Sequence, residues 1–368
     1  MPLKSILVVS PGPVDGYPPV QYQARILADA GHKVVLVTTP LKPEETETAF
    51  AHPNVEIRCV STVGSTPVRM LRFAQALWNE RRRLTRDVIE ISYDPIGILY
   101  SDLVPWRPMR RVAHLHELLQ DLDQFRERRL KRSMHRFDAV VVPDVGRAAL
   151  TQEMLGLAEK PLVVENYPLR APNPLASSSA DKSKFEVVYC GSLGKHQRLD
   201  SIIGSVPNWP SHVDLVLIGN DTTAIGRQLK ALAKSMGLAD RVRFLGWMDT
   251  PAAERRIAQA DLGIALLDSQ LEQFRTALGA SNKRYQIMKA GLPQIGDTNP
   301  GVPELLHGIG ACVDANTHDP ADIAAIVTEY AADADRCAKE GARAFLRHQE
   351  VYNYELAFRR LQEQIAGW

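Results

Sequence analysis

The chain has 368 residues, enough for two domains of common size, each with its own core. Hydrophobic residues make up 45% and charged residues 24%, and the net charge of +1 supplies no general field that would draw in a nucleic acid. The four cysteines, Cys59, Cys190, Cys312 and Cys337, lie far apart without a C-x-x-C pair, which suggests free thiols in a reducing compartment rather than a disulfide frame or a zinc site.

Met1–Pro11 carries one Lys and an apolar run too short for a signal peptide, and no stretch of about 18 apolar residues occurs, so the expected location is the cytoplasm. Ser5–Ser10 is a continuous run rich in β-branched residues, as in a strand buried on both faces. Pro11–Pro19 is a loop holding Gly12 and Gly16, Val20–Ala30 a helix ended by Gly31, and Lys33–Thr38 the next strand. This opening is Rossmann-like, although the loop lacks the G-x-G-x-x-G of dinucleotide sites.

Further strands are expected at Val55–Val60, Val88–Ser92, Arg111–Leu115 and Ala139–Pro143, with helices between them. Such alternation predicts an α/β, doubly wound sheet, whose ligands bind beyond the carboxyl ends of the strands. His116 and Glu117 stand at one such end, in Ala113-His114-Leu115-His116-Glu117, and are candidates for chemistry; His114 and His116 can also be read as packing or surface histidines. Asp121-Leu122-Asp123 has the form of a metal-binding D-x-D, but positions i and i+2 of a helix do not share a face, so these are expected to be solvated carboxylates. Between Arg69 and Arg136 stand 15 Lys or Arg against 9 Asp or Glu, with runs at Arg81–Arg83, just after Trp78, and at Arg126–Arg136. A solvated helix face accounts for these runs. The functional reading is a patch for anionic lipid headgroups or a lipid-linked acceptor, which would put the protein at the inner face of the membrane.

After Glu165–Pro168 comes Leu169–Ser183, rich in Pro, Ser and Ala, the best linker in the chain. Phe185–Cys190 then opens a second Rossmann-like unit. It runs directly into Gly191-Ser192-Leu193-Gly194-Lys195-His196-Gln197-Arg198, ahead of a helix starting near Leu199. Gly191 lets the backbone come close to a diphosphate that Lys195 and Arg198 can neutralise; a surface turn with two cations is the alternative. Val213–Gly219, Arg241–Gly246 and Asp261–Leu267 are further strands, Gln228–Met236 is helical, and Asp268–Ala280 is a loop or irregular helix. Ala321–Tyr330, Asp335–Leu346 and Tyr352–Ile365 are late helices.

Ser281–Glu304 organises this half. Ser281 is a plausible N-cap, Tyr285, Met288 and Lys289 recur at helical spacing, Gly291 can close the helix in the left-handed conformation, and Pro293 stops it. Gln294–Gly296 is a short strand and Asn299-Pro300-Gly301 a turn. The first-turn amides carry a partial positive charge, and Asn282, Lys283 and Gln286 lie within about one turn of them, offering polar groups to a sugar–phosphate ligand. An ordinary capped surface helix has the same spacing.

The stretch resembles the donor-binding element of retaining GT-B glycosyltransferases of family 4 (group 1), which reads Pro-x-Lys-x-x-Glu-x-Met-x-x-Gly-x-Pro. Lys283, Met288, Gly291 and Pro293 match; Gln286 stands where the family has the Glu that grips the ribose, and Leu278 where a second Glu often stands. The resemblance implies two Rossmann-like doubly wound domains facing a cleft: an acceptor domain at 1–168, a linker at 169–184, a donor domain at 185–350, and a terminal helix at 351–368 crossing back to the first domain. It implies that Gly12, Gly16, Gly191, Lys195 and Arg198 approach the donor diphosphate, that Trp247 and Met248 meet the base, and that Asn282, Lys283 and Gln286 meet ribose or sugar. His116, with Glu117, would face the transferred sugar as the catalytic group. The implied reaction is metal-independent, cofactor-free transfer of a hexose-type sugar from a nucleotide diphosphate sugar to a glycan, lipid-linked or small-molecule hydroxyl, with retention. Bacterial cell-surface polysaccharide or glycolipid synthesis is the expected setting, with no nucleic acid as partner. A nucleotide-sugar epimerase of the same fold, or a non-catalytic scaffold favoured by Gln286 and Leu278, stands as the alternative.

Overall fold

The structure is a computed structural model that describes residues 4–12, 14, 18–40, 51–84, 87–105, 108–119, 124–171 and 184–368. It divides into two compact units, one of Met1–Asn166 with Tyr354–Trp368 and one of Tyr167–Asn353. Gly16 and Asp121–Asp123 lie outside the described residues, as does most of the expected linker.

In the first unit the strands are β1 (Ser5–Ser10), β2 (Lys33–Thr38), β3 (Val55–Cys59), β4 (Val88–Tyr93), β5 (Arg110–His114), β6 (Ala139–Val142) and β7 (Leu162–Val163). Among the described residues they form one parallel sheet in the order β3-β2-β1-β4-β5-β6-β7. Ile6, Leu7, Val8 and Val9 of β1 are all fully buried, which is why this strand is a continuous apolar run and does not alternate. The covering helices are α1 (Pro18–Asp29), α2 (Thr66–Arg83), α3 (Asp94–Leu103), α4 (Gln124–Met134) and α5 (Val145–Leu155). Asp144 caps α5 by accepting from the Gly146 amide at 2.7 Å.

The second unit repeats the plan with β8 (Phe185–Cys190), β9 (Val213–Ile218), β10 (Val242–Phe244), β11 (Leu262–Ile264), β12 (Gln294–Asp297) and β13 (Gly310–Val313), ordered β10-β9-β8-β11-β12-β13. Its helices are α6 (Leu199–Ser205), α7 (Ala224–Ser235), α8 (Thr250–Ile257), α9 (Glu272–Arg275), α10 (Asn282–Ala290), α11 (Val302–Leu306), α12 (Pro320–Ala332) and α13 (Ala334–Glu350). The last helix, α14 (Tyr354–Gly367), belongs to the first unit: Gln23 of α1 donates to the Tyr354 hydroxyl at 2.7 Å, and the Tyr22 and Tyr354 rings meet edge to face at 5.4 Å. In each sheet the strand order reverses beside the unit's first strand, and that reversal creates a crevice outside the carboxyl ends.

The α/β, doubly wound expectation holds in both halves. β7 and β13 escaped it because one is two residues long and the other reads Gly-Ala-Cys-Val, too short for periodicity to register. Gly291 ends α10 at φ 76, as its sequence position suggests. Ser281 occupies the N-cap of that helix but accepts no capping hydrogen bond.

The Arg81–Arg83 run is not a continuous lipid-facing patch. Arg81 is buried and forks onto Glu90 with both contacts at 2.8 Å, and it also donates to the carbonyls of Val104 at 2.6 Å and Ser101 at 2.9 Å. Arg83 pairs with Glu56 and Glu80, each at 2.7 Å, while Arg82 lies over the Trp78 ring. In the second run, Lys131 pairs with Glu127 at 2.9 Å and Arg136 with Asp102 at 2.7 Å.

Candidate functional site

The first unit gathers its chemistry where β1, β4 and β5 end. Asp94, at the start of α3, adopts φ 55, a conformation that Asp tolerates better than most residues. From there its carboxylate accepts the His116 main-chain N–H at 2.9 Å and lies 3.4 Å from the ring Nδ1. His116 is buried, and Tyr93, His114 and His116 form a stack with centroids 4.7–5.2 Å apart. The Glu117 side chain is exposed and 3.3 Å from the Arg147 guanidinium, which also donates to the His116 carbonyl. Arg147 thus clamps the His116–Glu117 turn from α5.

His114 is a core histidine. Its Nδ1 accepts from the Gln23 amide at 2.9 Å, and the Tyr93 hydroxyl donates to the Gln23 oxygen. Burial, with His116 beside it, pushes its pKa well below the ordinary histidine value, so it stays neutral. The carbonyl of Gly12 accepts from the Thr38 hydroxyl at 2.8 Å, and a Cβ on Gly12 would meet nothing within 4 Å.

In the second unit the Gly191 loop follows β8, as expected. The Gly191 N–H donates to the Ile218 carbonyl and Gly219 N–H to the Gly246 carbonyl, both at 2.9 Å, so the loops after β8, β9 and β10 lie side by side. Gly191 has φ 145, and a Cβ there would overlap Lys283 Cε and stand 3.3 Å from its Nζ. Lys283 of α10 therefore lies directly against the Gly191 loop. Burial pushes the adjacent Cys190 thiol up to about 12, against the pull of the Lys283 charge.

Lys195 is exposed. Arg198 sits at φ 48 and turns its guanidinium to the Ser201 hydroxyl at 3.2 Å and to His318 Nδ1 at 3.5 Å. His318 is buried, and its Nε2 donates to the Leu267 carbonyl at 3.0 Å, which leaves Nδ1 to accept from Arg198. Burial, with the Arg198 charge next, keeps the His318 pKa below the ordinary value. Trp247 is 37% exposed, whereas Met248 packs on the core with Ile257 and Ile287.

What holds α10 is a buried polar network that no local spacing announces. Arg284 pairs with Asp297 at 2.6 Å, Asp297 also accepts the amides of Leu267 at 2.9 Å and Asn299 at 3.0 Å, and Gln294 donates to the Arg284 carbonyl at 3.2 Å. At the helix start, Ser281 Oγ and Asn282 Oδ1 are buried polar atoms without a protein partner. Lys283 and Gln286 are half-buried, and the Leu278 carbonyl accepts from the Tyr285 hydroxyl at 2.9 Å. The residues touching the candidate site that the sequence reading missed are Asp94, Arg147 and His318. A carboxylate before Pro95 at a strand end was a readable hint for the first of them.

Among the described residues no group of three or more His, Cys, Asp or Glu is placed to hold a metal ion, and no helix is long and apolar enough to cross a membrane.

Two family models match the chain, Glycosyltransferase Family 4 over residues 20–166 and Glycosyl transferases group 1 over residues 184–333. No curated protein matches it. Among solved structures, Alr3699/HepE of Anabaena in complex with UDP and glucose superposes with TM-score 0.79 at 16% identity, covering 99% of this chain and 100% of that one. Sucrose-phosphate synthase of Thermosynechococcus elongatus gives 0.78 at 15% identity, over 99% and 98% of the two chains. A glycosyltransferase from Rickettsia africae gives 0.78 at 14% identity, over 100% and 99%. Identities this low speak for the fold alone. With one family model on each half and two Rossmann-like sheets that match these structures, the chain belongs to the group 1, family 4 glycosyltransferases of GT-B fold.

Proposed function

We propose that the protein is a retaining, metal-independent hexosyltransferase that moves a sugar from a nucleotide diphosphate sugar to a hydroxyl of a glycan, lipid-linked or small-molecule acceptor, in bacterial cell-surface polysaccharide or glycolipid synthesis. The observation that carries this reading is the contact of Lys283 with the Gly191 loop, beside the orphaned polar atoms of Ser281 and Asn282. A cation, a glycine backbone and first-turn amides together form a natural cradle for a diphosphate. The second unit then holds the donor: Lys283, Lys195 and Arg198 neutralise the phosphates, Trp247 and Met248 meet the base, and Gln286 meets the ribose. With that charge supplied by the protein, neither metal nor cofactor is assigned a role.

In the first unit His116, oriented by Asp94, is assigned to the transferred sugar, with Glu117 next to it in the chain. Retention would follow a front-face course in which the leaving phosphate takes the acceptor proton. The solved Anabaena structure with UDP-glucose makes UDP-sugars the first donors to try.

A scaffold reading draws on Gln286 and Leu278. A Gln side chain keeps one carbonyl acceptor for the ribose, and a neutral bond in place of a charge-assisted one costs on the order of 1 kcal/mol. A thermal-shift screen of UDP-, GDP-, ADP- and TDP-sugars, followed by calorimetry of wild type and Gln286→Glu, separates the readings. The enzyme reading expects both proteins to bind and Gln286→Glu to bind as well or more tightly; two flat titrations would leave only a scaffold. Turnover of the donor without acceptor would point to an epimerase.

A further inference from the structure

Gln23, in the middle of α1, is an uncharged polar side chain that is fully buried. Its amide nitrogen lies 2.9 Å from His114 Nδ1 and 2.7 Å from the Tyr354 hydroxyl of α14, and its oxygen accepts from the Tyr93 hydroxyl. This orientation uses both amide hydrogens and the amide oxygen, whereas the reversed amide would leave one buried N–H over. His114 Nδ1 therefore accepts, and the single proton of that ring sits on Nε2. A second proton has to enter at Nδ1, where Gln23 already points a hydrogen, and Nε2 has no protein partner among the described residues to stabilise a cation. Burial opposes the charged form as well.

The His114 and His116 rings stack with centroids 4.7 Å apart. Two imidazolium rings at that distance repel strongly even at an effective dielectric constant of about 20, so the charge of one is coupled to the charge of the other. Gln23 settles which ring stays uncharged. Tyr93 on β4 and Tyr354 on α14 also face the pair, and burial holds both phenols neutral, far above the usual tyrosine range. Asp94 at the start of α3 meets the edge of His116, Arg147 on α5 donates to the His116 carbonyl, and Glu117 pairs with Arg147.

We propose that Gln23 is a positioning residue for the reacting side of the first unit: by donating to His114 it fixes that ring with its proton on Nε2, so that His116 stacks on an uncharged neighbour. The proposal rests on the reading of His116 as the residue facing the transferred sugar.

The tautomer is read without donor or acceptor, from the ring nitrogen-15 shifts of the full chain labelled at histidine. Wild type at neutral pH is expected to show His114 protonated on Nε2 only, and a proton on Nδ1 overturns the proposal. Gln23→Glu sets an acceptor against Nδ1 and should draw a second proton onto His114, while Gln23→Met is uncharged and of similar volume. Both variants are checked for cooperative melting, and if Gln23→Glu does not fold the wild-type spectrum still decides. The donor for kinetics is the nucleotide sugar giving the largest shift in the thermal screen. In Gln23→Glu the pH at which kcat changes should move toward acid by about one unit or more, with donor affinity within about twofold of wild type. In Gln23→Met the curve should keep its position. An unmoved curve in Gln23→Glu, or an equal shift in both variants, overturns the proposal, because the rings are then uncoupled or packing carries the effect. His116→Ala separates the two readings: if it keeps wild-type turnover, the sugar-facing assignment fails while the tautomer result stands by itself.

Discussion

The guanidinium of Arg284 lies 2.6 Å from the carboxylate of Asp297, and both side chains are buried. Arg284 follows Lys283 in α10 and Asp297 ends β12, so this pair sets where the helix start, with its polar groups, stands over the sheet. Losing one partner would strand a charge in the interior. Arg284→Ala should therefore cost about 3–5 kcal/mol, read as a lower urea midpoint with an unchanged slope. A loss under about 1 kcal/mol would show that water reaches the pair.

Lys283→Ala should weaken nucleotide-sugar binding by about 1.5–3 kcal/mol, the range of a hydrogen bond to a charged group. Gly191→Ala should weaken it too, because the new methyl group would displace Lys283 and strain a backbone at φ 145. Calorimetry of both variants checks this. Normal affinity in Lys283→Ala would hand the diphosphate to Lys195 and Arg198.

His116→Ala should lower turnover far more than donor affinity, because the residue belongs to the first unit, whereas the proposed donor cradle of Gly191 and Lys283 lies in the second. Asp94→Asn should give a smaller loss of the same kind, since Asp94 holds both the main chain and the ring of His116. Steady-state kinetics beside calorimetry separates kcat from binding. Near wild-type turnover in His116→Ala would make His116 a packing residue like His114.

Stability should fall in mild acid. His348 is buried with Nδ1–H donated to the Tyr352 carbonyl at 2.7 Å, and burial lowers its pKa from 6.5 to about 4. The unfolded chain then binds a proton that the folded one refuses. The contribution is complete above pH 6.5 and is lost as pH drops toward 4, by on the order of 3 kcal/mol in total. Urea unfolding of wild type and His348→Gln across this range should give a shallower fall in the variant. Parallel curves would show that other groups carry the acid dependence.

The two Rossmann-like units were legible because their evidence is local: continuous apolar runs such as Ser5–Ser10 and Phe185–Cys190, and a glycine like Gly291, have one structural use wherever the chain goes. The Gly191 loop was legible for the same reason, since it follows a strand and precedes a helix. The tertiary structure alone decided which charged and polar side chains are buried struts and which stay at the surface. Arg81 and Arg82 are neighbours in sequence, yet Glu90 on β4 draws one into the core and leaves the other over Trp78. His114 and His116 look interchangeable two residues apart, but Gln23 from α1 takes one and Asp94 from α3 the other. Lys283 meets Gly191 across 92 positions of sequence. The partner of a charged side chain is chosen by packing between distant segments, and one-dimensional spacing carries no record of that choice.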